Sequence, residues 1–156
     1  LDFCQPMLDE AERKRLERSP SPEISFAFGD ILQLPIEDDS ADAITVSFGV
    51  RNLESRDKGL KDIRRSLRPG GKLFILEFSQ PYSWFRPIYY SYLKYILPTV
   101  AGWITRKPDA YDYLGDSIEA FPSRQKLSDE LDAAGFSHLK STPMTLGIVA
   151  IHEGTA

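Results

Sequence analysis

The clearest pattern of apolar and polar positions lies in residues 41–52, ADAITVSFGVRN. An apolar, partly β-branched run over residues 41–48 leads through a glycine to the polar pair Arg51 and Asn52. Such a run predicts a strand that is buried on both faces. In doubly wound α/β sheets, ligands bind just beyond the carboxyl ends of such strands, so the polar pair is a candidate for chemistry. The alternative is that Arg51 caps a helix or pairs with a surface acid.

Short apolar runs and helical spacings alternate along the rest of the chain. In the first half of the chain they predict the end of a strand at 1–3, an exposed helix at 7–18, a strand at 24–28, a loop at 31–40 with turn formers at 38–40, a helix at 55–68 ended by Pro69-Gly70-Gly71, and a strand at 72–78. In the second half they predict an aromatic-rich helical region at 82–104 that is broken at Pro98 and Gly102, and a helix at 109–121. A helix at 124–134, capped by Ser123 and stopped by Gly135, and strands at 137–144 and 147–152 complete the prediction.

This order of elements indicates the α/β class. Strands alternate with helices, and the last two strands are close enough in sequence to pair as an antiparallel hairpin. We therefore expect a mostly parallel sheet with one antiparallel strand near the C-terminus. The 156 residues fit a single domain, residues 1–156, with no internal repeat and no linker.

Glu77 is an acid inside the predicted apolar strand 72–78, near its carboxyl end. A buried acid at this position is either paired structurally or functional. We favour a structural pair, because a buried charge needs a partner.

Composition and charge narrow the class of partner. The net charge is −4 and the basic residues are interspersed with acids, so we expect no nucleic acid as partner. A single cysteine excludes an internal disulfide and fits a reducing compartment. We see no signal peptide and no uninterrupted apolar stretch that could span a membrane. We therefore expect a cytoplasmic protein. A peripheral contact at the inner membrane through the amphipathic, aromatic-rich region stays open, but packing in the core is the commoner fate of such a stretch and the alternative for most of its rings.

Four stretches resemble one enzyme family. They are GDILQLPIEDDSADAITVSFGVRN (29–52), LRPGGKLFILEFSQP (67–81), YLGDSIEAFP (113–122) and LDAAGFSHLKSTPMTLGIVAIHEG (131–154). Together they resemble the UbiE/MenG-type C-methyltransferases, which use S-adenosylmethionine to methylate the ring of a polyprenyl benzoquinol or naphthoquinol. P-G-G before a strand is common to class I methyltransferases, whereas SFG-x-RN followed by PGGKLxxLEFS is far more selective. The resemblance covers essentially all of the chain and implies the class I methyltransferase fold.

The resemblance assigns four residues to the cofactor. Asp2 matches the acid that accepts hydrogen bonds from the ribose hydroxyls, as a carboxylate can accept two at once. Asp30 and the backbone of Ile31 match the pair that holds the adenine. Ser47 matches a cofactor contact after the fourth strand of the family's sheet. The alternatives are a helix N-terminal acid for Asp2, a turn cap for Asp30 and a small core residue for Ser47.

The resemblance assigns Arg51 and Asn52 to the quinol, and the region 82–104 to its isoprenoid tail. A ring carbon attacks the methyl group in line only when an adjacent hydroxyl has lost its proton. Arg51 would stabilise the phenolate, directly or through a water, but a permanent cation is a poor general base. Asn52 would orient substrate or water. We assign no catalytic role to His138 or His152, and we expect no metal.

The sequence departs from the family in lacking the glycine-rich loop that approaches the methionine end of the cofactor, together with the strand before it. We expect an open edge on the strand 41–48, which could pair with a second copy or another partner. Three explanations stay open: a piece of a longer enzyme, a shortened gene product that dimerises, and a non-catalytic interaction module.

Another class I methyltransferase acting on a small phenol or lipid is an alternative function. A nicotinamide dehydrogenase is weaker still, because no G-x-G-x-x-G is present.

Overall fold

The computed structural model describes residues 1–18, 24–97, 99 and 109–156. In chain order its elements are helix α1 (Gln5–Arg18), strand β1 (Ala41–Ser47), a 3₁₀ turn (Val50–Asn52), helix α2 (Arg56–Ser66), strand β2 (Leu67–Phe78), helix α3 (Arg86–Ser91), a π-helical segment (Tyr92–Ile96), helix α4 (Asp109–Ala120), helix α5 (Arg124–Ala133), strand β3 (Ser137–Met144), a second 3₁₀ turn (Thr145–Gly147) and strand β4 (Val149–Thr155).

The strands form one mixed sheet in the order β1-β2-β4-β3. β1 and β2 are parallel, and β4 is antiparallel to both of its neighbours, β2 and β3. Three strands therefore run one way and β4 runs the other way, which confirms the prediction of a mostly parallel sheet with one antiparallel strand. β1 lies at the end of the order, so the expected open edge is present in the part of the chain that the structure describes.

One face of the sheet carries the main core. Helices α2 and α5 supply Leu60, Ile63, Leu127 and Leu131, which pack with sheet residues such as Ile75. Both helices begin where the sequence predicts, because Ser55 and Ser123 each accept a hydrogen bond from the first helical turn. The core is thus built between this helix pair and the sheet.

The prediction that β1 is buried on both faces is wrong. Thr45 and Ser47 are exposed, whereas Ile44 and Val46 on the other face are half-buried against the core. The reason is that the main core packs against only one face of β1, the face that carries Ile44 and Val46. An alternating burial pattern follows from the alternating direction of side chains along a strand.

Two further predictions differ from the structure. Residues 24–28 form no strand, because their pairing with a described neighbour is limited to one parallel bridge, between Phe28 and Asp2, and the two backbone hydrogen bonds beside it. Helix α2 ends at Ser66 rather than at residue 68, because Leu67 already pairs with Ala41 of β1 and begins β2.

The aromatic-rich region is helical as predicted from Arg86 onward, with a π-helix over Tyr92–Ile96, but residues 82–85 form no helix and end in a turn. Tyr89 and Leu93 of this region form a second, smaller core with Ile118 of α4. The predicted break at Pro98 and Gly102 lies outside the described residues. Within the residues that the structure describes, no helix is both long and apolar enough to cross a membrane.

Candidate functional site

A cavity of about 840 Å³ lies against the free edge of β1. Its walls come from residues 1–3, from the loop 28–36, from β1 and from the turn that follows β1. The structure brings most of the sequence-predicted site residues together here: Asp2, Asp30, Ile31, Ser47 and Asn52 all line this cavity. Arg51 is not among the lining residues.

The two acids on the cavity wall, Asp2 and Asp30, have the same local geometry. Oδ1 of Asp2 accepts a hydrogen bond from the backbone N–H of Cys4 at 2.8 Å, and Oδ1 of Asp30 accepts one from Leu32 at 2.8 Å. Each carboxylate therefore closes a turn two residues long, as Asp side chains commonly do. The turn-capping alternative for Asp30 is thus present in the structure. It uses only one oxygen, and Oδ2 of each acid makes no hydrogen bond to any described residue.

Between the two acids the wall of the cavity is largely apolar. Phe3, Phe28, Ile31 and Leu53 contribute to it, together with the backbone and side chains of β1. Ser47 sits at the carboxyl end of β1 and is exposed, so it is not the small core residue that the alternative interpretation described. An apolar slot with a few convergent polar groups is the usual form of a small-molecule site.

Arg51 does not line the cavity, although Gly49 and Asn52 on either side of it do, and its side chain is held in a hydrogen-bonded corner. Its Nη1 donates to Oε1 of Glu77 at 2.8 Å and to the carbonyl oxygen of Phe48 at 2.7 Å, and its backbone N–H donates to Oε2 of Glu77 at 3.2 Å. The guanidinium also lies over the rings of Phe78, at 5.3 Å, and Phe48, at 5.9 Å. Its Nη2 makes no hydrogen bond within the described residues.

Glu77 is 1% exposed and is the most deeply buried acid of this corner. Both of its oxygens accept hydrogen bonds from Arg51, and Oε1 also accepts one from the backbone of Phe78 at 2.9 Å. The structural pair that we predicted for Glu77 is therefore confirmed. Its partner is Arg51, the residue that the family resemblance assigned to the quinol.

Sequence reasoning treated Glu77 and Arg51 separately and missed that they pair. A signal was present: both residues lie near the carboxyl ends of strands that prove to be parallel neighbours. Ser47 pairs with Leu76 in that register, which places Glu77 beside the turn that carries Arg51. The neighbourhood of two strands is a property of the sheet order, which a single sequence shows only weakly.

A family model described as the ubiE/COQ5 methyltransferase family matches residues 1–156 of this chain. A demethylmenaquinone methyltransferase from Streptomyces avermitilis is 41% identical over 155 residues, which are 98% of this chain and 64% of the relative. A ubiquinone/menaquinone biosynthesis C-methyltransferase UbiE from Caulobacter vibrioides is 39% identical over 144 residues, 90% of this chain and 56% of the relative. The chain thus spans roughly three fifths of the length of such curated relatives.

Solved structures share the fold. A SAM-dependent methyltransferase from Aquifex aeolicus superposes with a TM-score of 0.67 at 14% identity, covering 98% of this chain and 65% of that one. A SAM-dependent methyltransferase from Thermotoga maritima gives a TM-score of 0.66 at 20% identity, covering 96% and 69%. These likenesses show the class I methyltransferase fold that the sequence predicted.

Proposed function

The chain belongs to the ubiE/COQ5 methyltransferase family, and from that membership we propose that it is part of an S-adenosylmethionine-dependent C-methyltransferase domain. The proposed substrate is the ring of a demethylmenaquinol or of a polyprenyl benzoquinol in respiratory quinone biosynthesis. The single observation that carries the proposal is the shared cavity, which Asp2, Asp30, Ile31, Ser47 and Asn52 line together.

The cavity residues fit the adenosine part of the cofactor. The open oxygen of Asp2 is an acceptor for a ribose hydroxyl, and the open oxygen of Asp30 is an acceptor for the exocyclic amine of adenine. The apolar wall around Ile31 suits the flat faces of the base. When bound, S-adenosylmethionine supplies an electrophilic methyl group. The glycine-rich loop that holds its methionine end in the family has no counterpart among these 156 residues.

Arg51 enters this proposal in a changed role. Because its Nη1 is bound to Glu77, the pair carries little net charge toward a substrate. We propose that Arg51 acts as a fixed hydrogen-bond donor through Nη2, at a position that Glu77 and the two phenylalanine rings hold in place. A donor held rigidly near a developing phenolate stabilises it without reorganising. Asn52, on the cavity wall, orients the ring or a water.

Peripheral contact with a membrane is part of the proposal, because a substrate with an isoprenoid tail resides in a bilayer. We propose a cytoplasmic location for the catalytic domain. We further propose that the open edge of β1 pairs with a strand of a second copy or of another partner.

Calorimetry with S-adenosylhomocysteine, followed by a methyl-transfer assay on a demethylated quinol, tests the function on the protein that carries this sequence. We expect micromolar binding and a steep loss of turnover in Arg51→Ala with cofactor affinity preserved, measured at a temperature at which the variant's melting curve shows that it is still folded. Arg51→Lys is the matched control, since it keeps the charge but not the fork of donors. Absence of cofactor binding would favour the second candidate, a non-catalytic interaction module.

A further inference from the structure

The helical region that begins after β2 exposes a stripe of large apolar side chains. Trp84, Ile88, Tyr92, Tyr95 and Ile96 are exposed by 65, 61, 42, 65 and 52% respectively. Ile88, Tyr92, Tyr95 and Ile96 lie on the helical segment that begins at Arg86, and Trp84 lies in the turn just before it, so the five exposed side chains fall within one short stretch of the chain. Scattered apolar residues on a surface need no explanation, but a contiguous stripe marks an interaction site.

The other side of the same segment is already buried. Tyr89 and Leu93 are 8 and 7% exposed and pack against Ile118 of α4. The segment is therefore apolar on two sides, and only one of them is used by the described fold. If the segment packed only against this small core, its outer positions 84, 88 and 92 would be expected to carry polar residues.

A turn between β3 and β4 extends the stripe. Leu146 is 44% exposed, and its backbone has φ +57°, in the left-handed region that a bulky residue rarely adopts. Its carbonyl oxygen accepts a hydrogen bond from the backbone N–H of Tyr82 at 3.1 Å. Gly147 allows this close approach, since a Cβ at that position would lie only 3.2 Å from the Tyr82 nitrogen. The turn thus holds an exposed leucine beside the start of the helical region.

The charges of this segment indicate what covers it. Between residues 81 and 99 the only charged residues are Arg86 and Lys94, both cations, in a chain with a net charge of −4. Both are exposed, and Nζ of Lys94 lies 5.7 Å from the centre of the Tyr95 ring, at the border of the stripe. Tryptophan and tyrosine with flanking cations are the side chains that settle at a lipid–water interface, where anionic headgroups attract the cations.

We propose that the aromatic surface, formed by Trp84, Ile88, Tyr92, Tyr95, Ile96 and Leu146, docks onto an anionic lipid bilayer. This inference rests on the proposed function, and it names the surface and the lipid charge that the contact uses. The surface follows the carboxyl end of β2 and includes the turn before β4, so it lies at the same rim of the sheet as the carboxyl end of β1 and Ser47.

Vesicle co-sedimentation of the protein tests the proposal, with vesicles of phosphatidylcholine alone and with about one third phosphatidylglycerol. We expect binding to the anionic vesicles that falls with added salt. Trp84→Ser with Ile88→Ser should weaken that binding by about tenfold or more, because two large apolar side chains lose their lipid contact. Lys94→Gln should weaken binding to the anionic vesicles only.

The matched control is Met7→Ser with Leu16→Ser on α1, two residues that are 60 and 59% exposed and lie outside the aromatic surface. Equal vesicle binding by the two double variants overturns the proposal, as does absence of binding by the unaltered protein. Dissociation of a dimer by Trp84→Ser, without lipid, also overturns it, because the surface is then a contact between copies. Cofactor binding, measured without vesicles, reports on the proposed function separately. A protein that binds S-adenosylhomocysteine but no vesicles loses only the docking surface.

Discussion

Carboxylates occupy two contrasting environments on the two sides of β1. On the cavity wall, Asp2 and Asp30 each give one oxygen to a local turn and keep the other open. In the corner beyond the end of the strand, Glu77 is 1% exposed and gives both oxygens to Arg51. The difference lies in burial, since water can complete the bonding of an exposed oxygen but not of a buried one.

The contrast teaches that an acid near a strand end carries no role by itself. The open acids can exchange water for a ligand at little energetic penalty, whereas the buried pair cannot release either partner without exposing an uncompensated charge. We therefore propose ligand binding for the open acids and a positioning role for the buried pair.

Removing Glu77 should have the largest effect on stability. In Glu77→Ala, the guanidinium of Arg51, only 13% exposed, loses its carboxylate, and we expect a loss of about 3–5 kcal/mol in the free energy of unfolding. Urea denaturation measures it. The double variant Arg51→Met with Glu77→Met should lose much less than the sum of the two single variants. Additive losses would show that the two charges are not coupled.

Acidification should destabilise the protein through His152, another group buried on the core side. Burial and the positive charge of Arg124 lower its pKa from 6.5 to about 4. Between these values the unfolded chain binds a proton that the folded protein does not, so stability falls as the pH drops from about 6.5 to 4, by about 3 kcal/mol. Urea midpoints across this range measure the loss. His152→Met should flatten the profile there, and an unchanged profile would contradict the assignment.

Changing Asp30 should affect ligand binding and spare the fold. A serine can still accept the hydrogen bond from Leu32, but it has no second oxygen for a ligand. We expect Asp30→Ser to weaken S-adenosylhomocysteine binding by about 10- to 100-fold with an unchanged melting temperature. Calorimetry gives the affinity. Equal affinities for the serine variant and the unaltered protein would mean that the open oxygen meets no ligand.

An ion pair outside the buried corner should matter least. Arg56 and Glu130 join α2 to α5 at 2.7 Å, a distance similar to that in the Arg51–Glu77 pair, but their side chains are 30 and 24% exposed. We expect Arg56→Ala to cost about 0.2–1 kcal/mol in unfolding free energy, because water replaces the lost partner. A loss as large as that of Glu77→Ala would mean that burial does not separate the two pairs.

The sequence predicted well wherever a local pattern decides the structure. Ser123 caps α5 and Gly135, at φ +92°, follows its end, as residue types at helix ends dictate. The four strands of the sheet overlap four of the predicted strands, although β2 begins at Leu67 rather than at residue 72 and β4 spans Val149–Thr155 rather than 147–152. The prediction of a strand at residues 24–28 was wrong, because a strand needs a pairing partner as well as an alternating apolar pattern.

The sequence indicated which residues would lie near one another in the candidate site, but not which hydrogen bonds they would make. Motif positions brought Asp2, Asp30 and Asn52 to one cavity. The orientation of Arg51 depended on Glu77, which lies 26 residues later and approaches only through the parallel pairing of β1 with β2. Long-range pairing of this kind leaves no periodic trace in a sequence.

The cavity has a wall made of main chain. Every residue from Ala43 to Ser47 lines it, and among the described residues only β2 pairs with β1, so the amides and carbonyls of the outer edge face the same space as a ligand. A strand that pairs with this edge, whether from a part of the protein outside residues 1–156 or from another chain, would therefore form part of the cavity wall. By thermodynamic reciprocity, whatever such pairing does to ligand affinity, the ligand does to the pairing. If copies pair along this edge, the apparent dissociation constant of a ligand will drift with protein concentration.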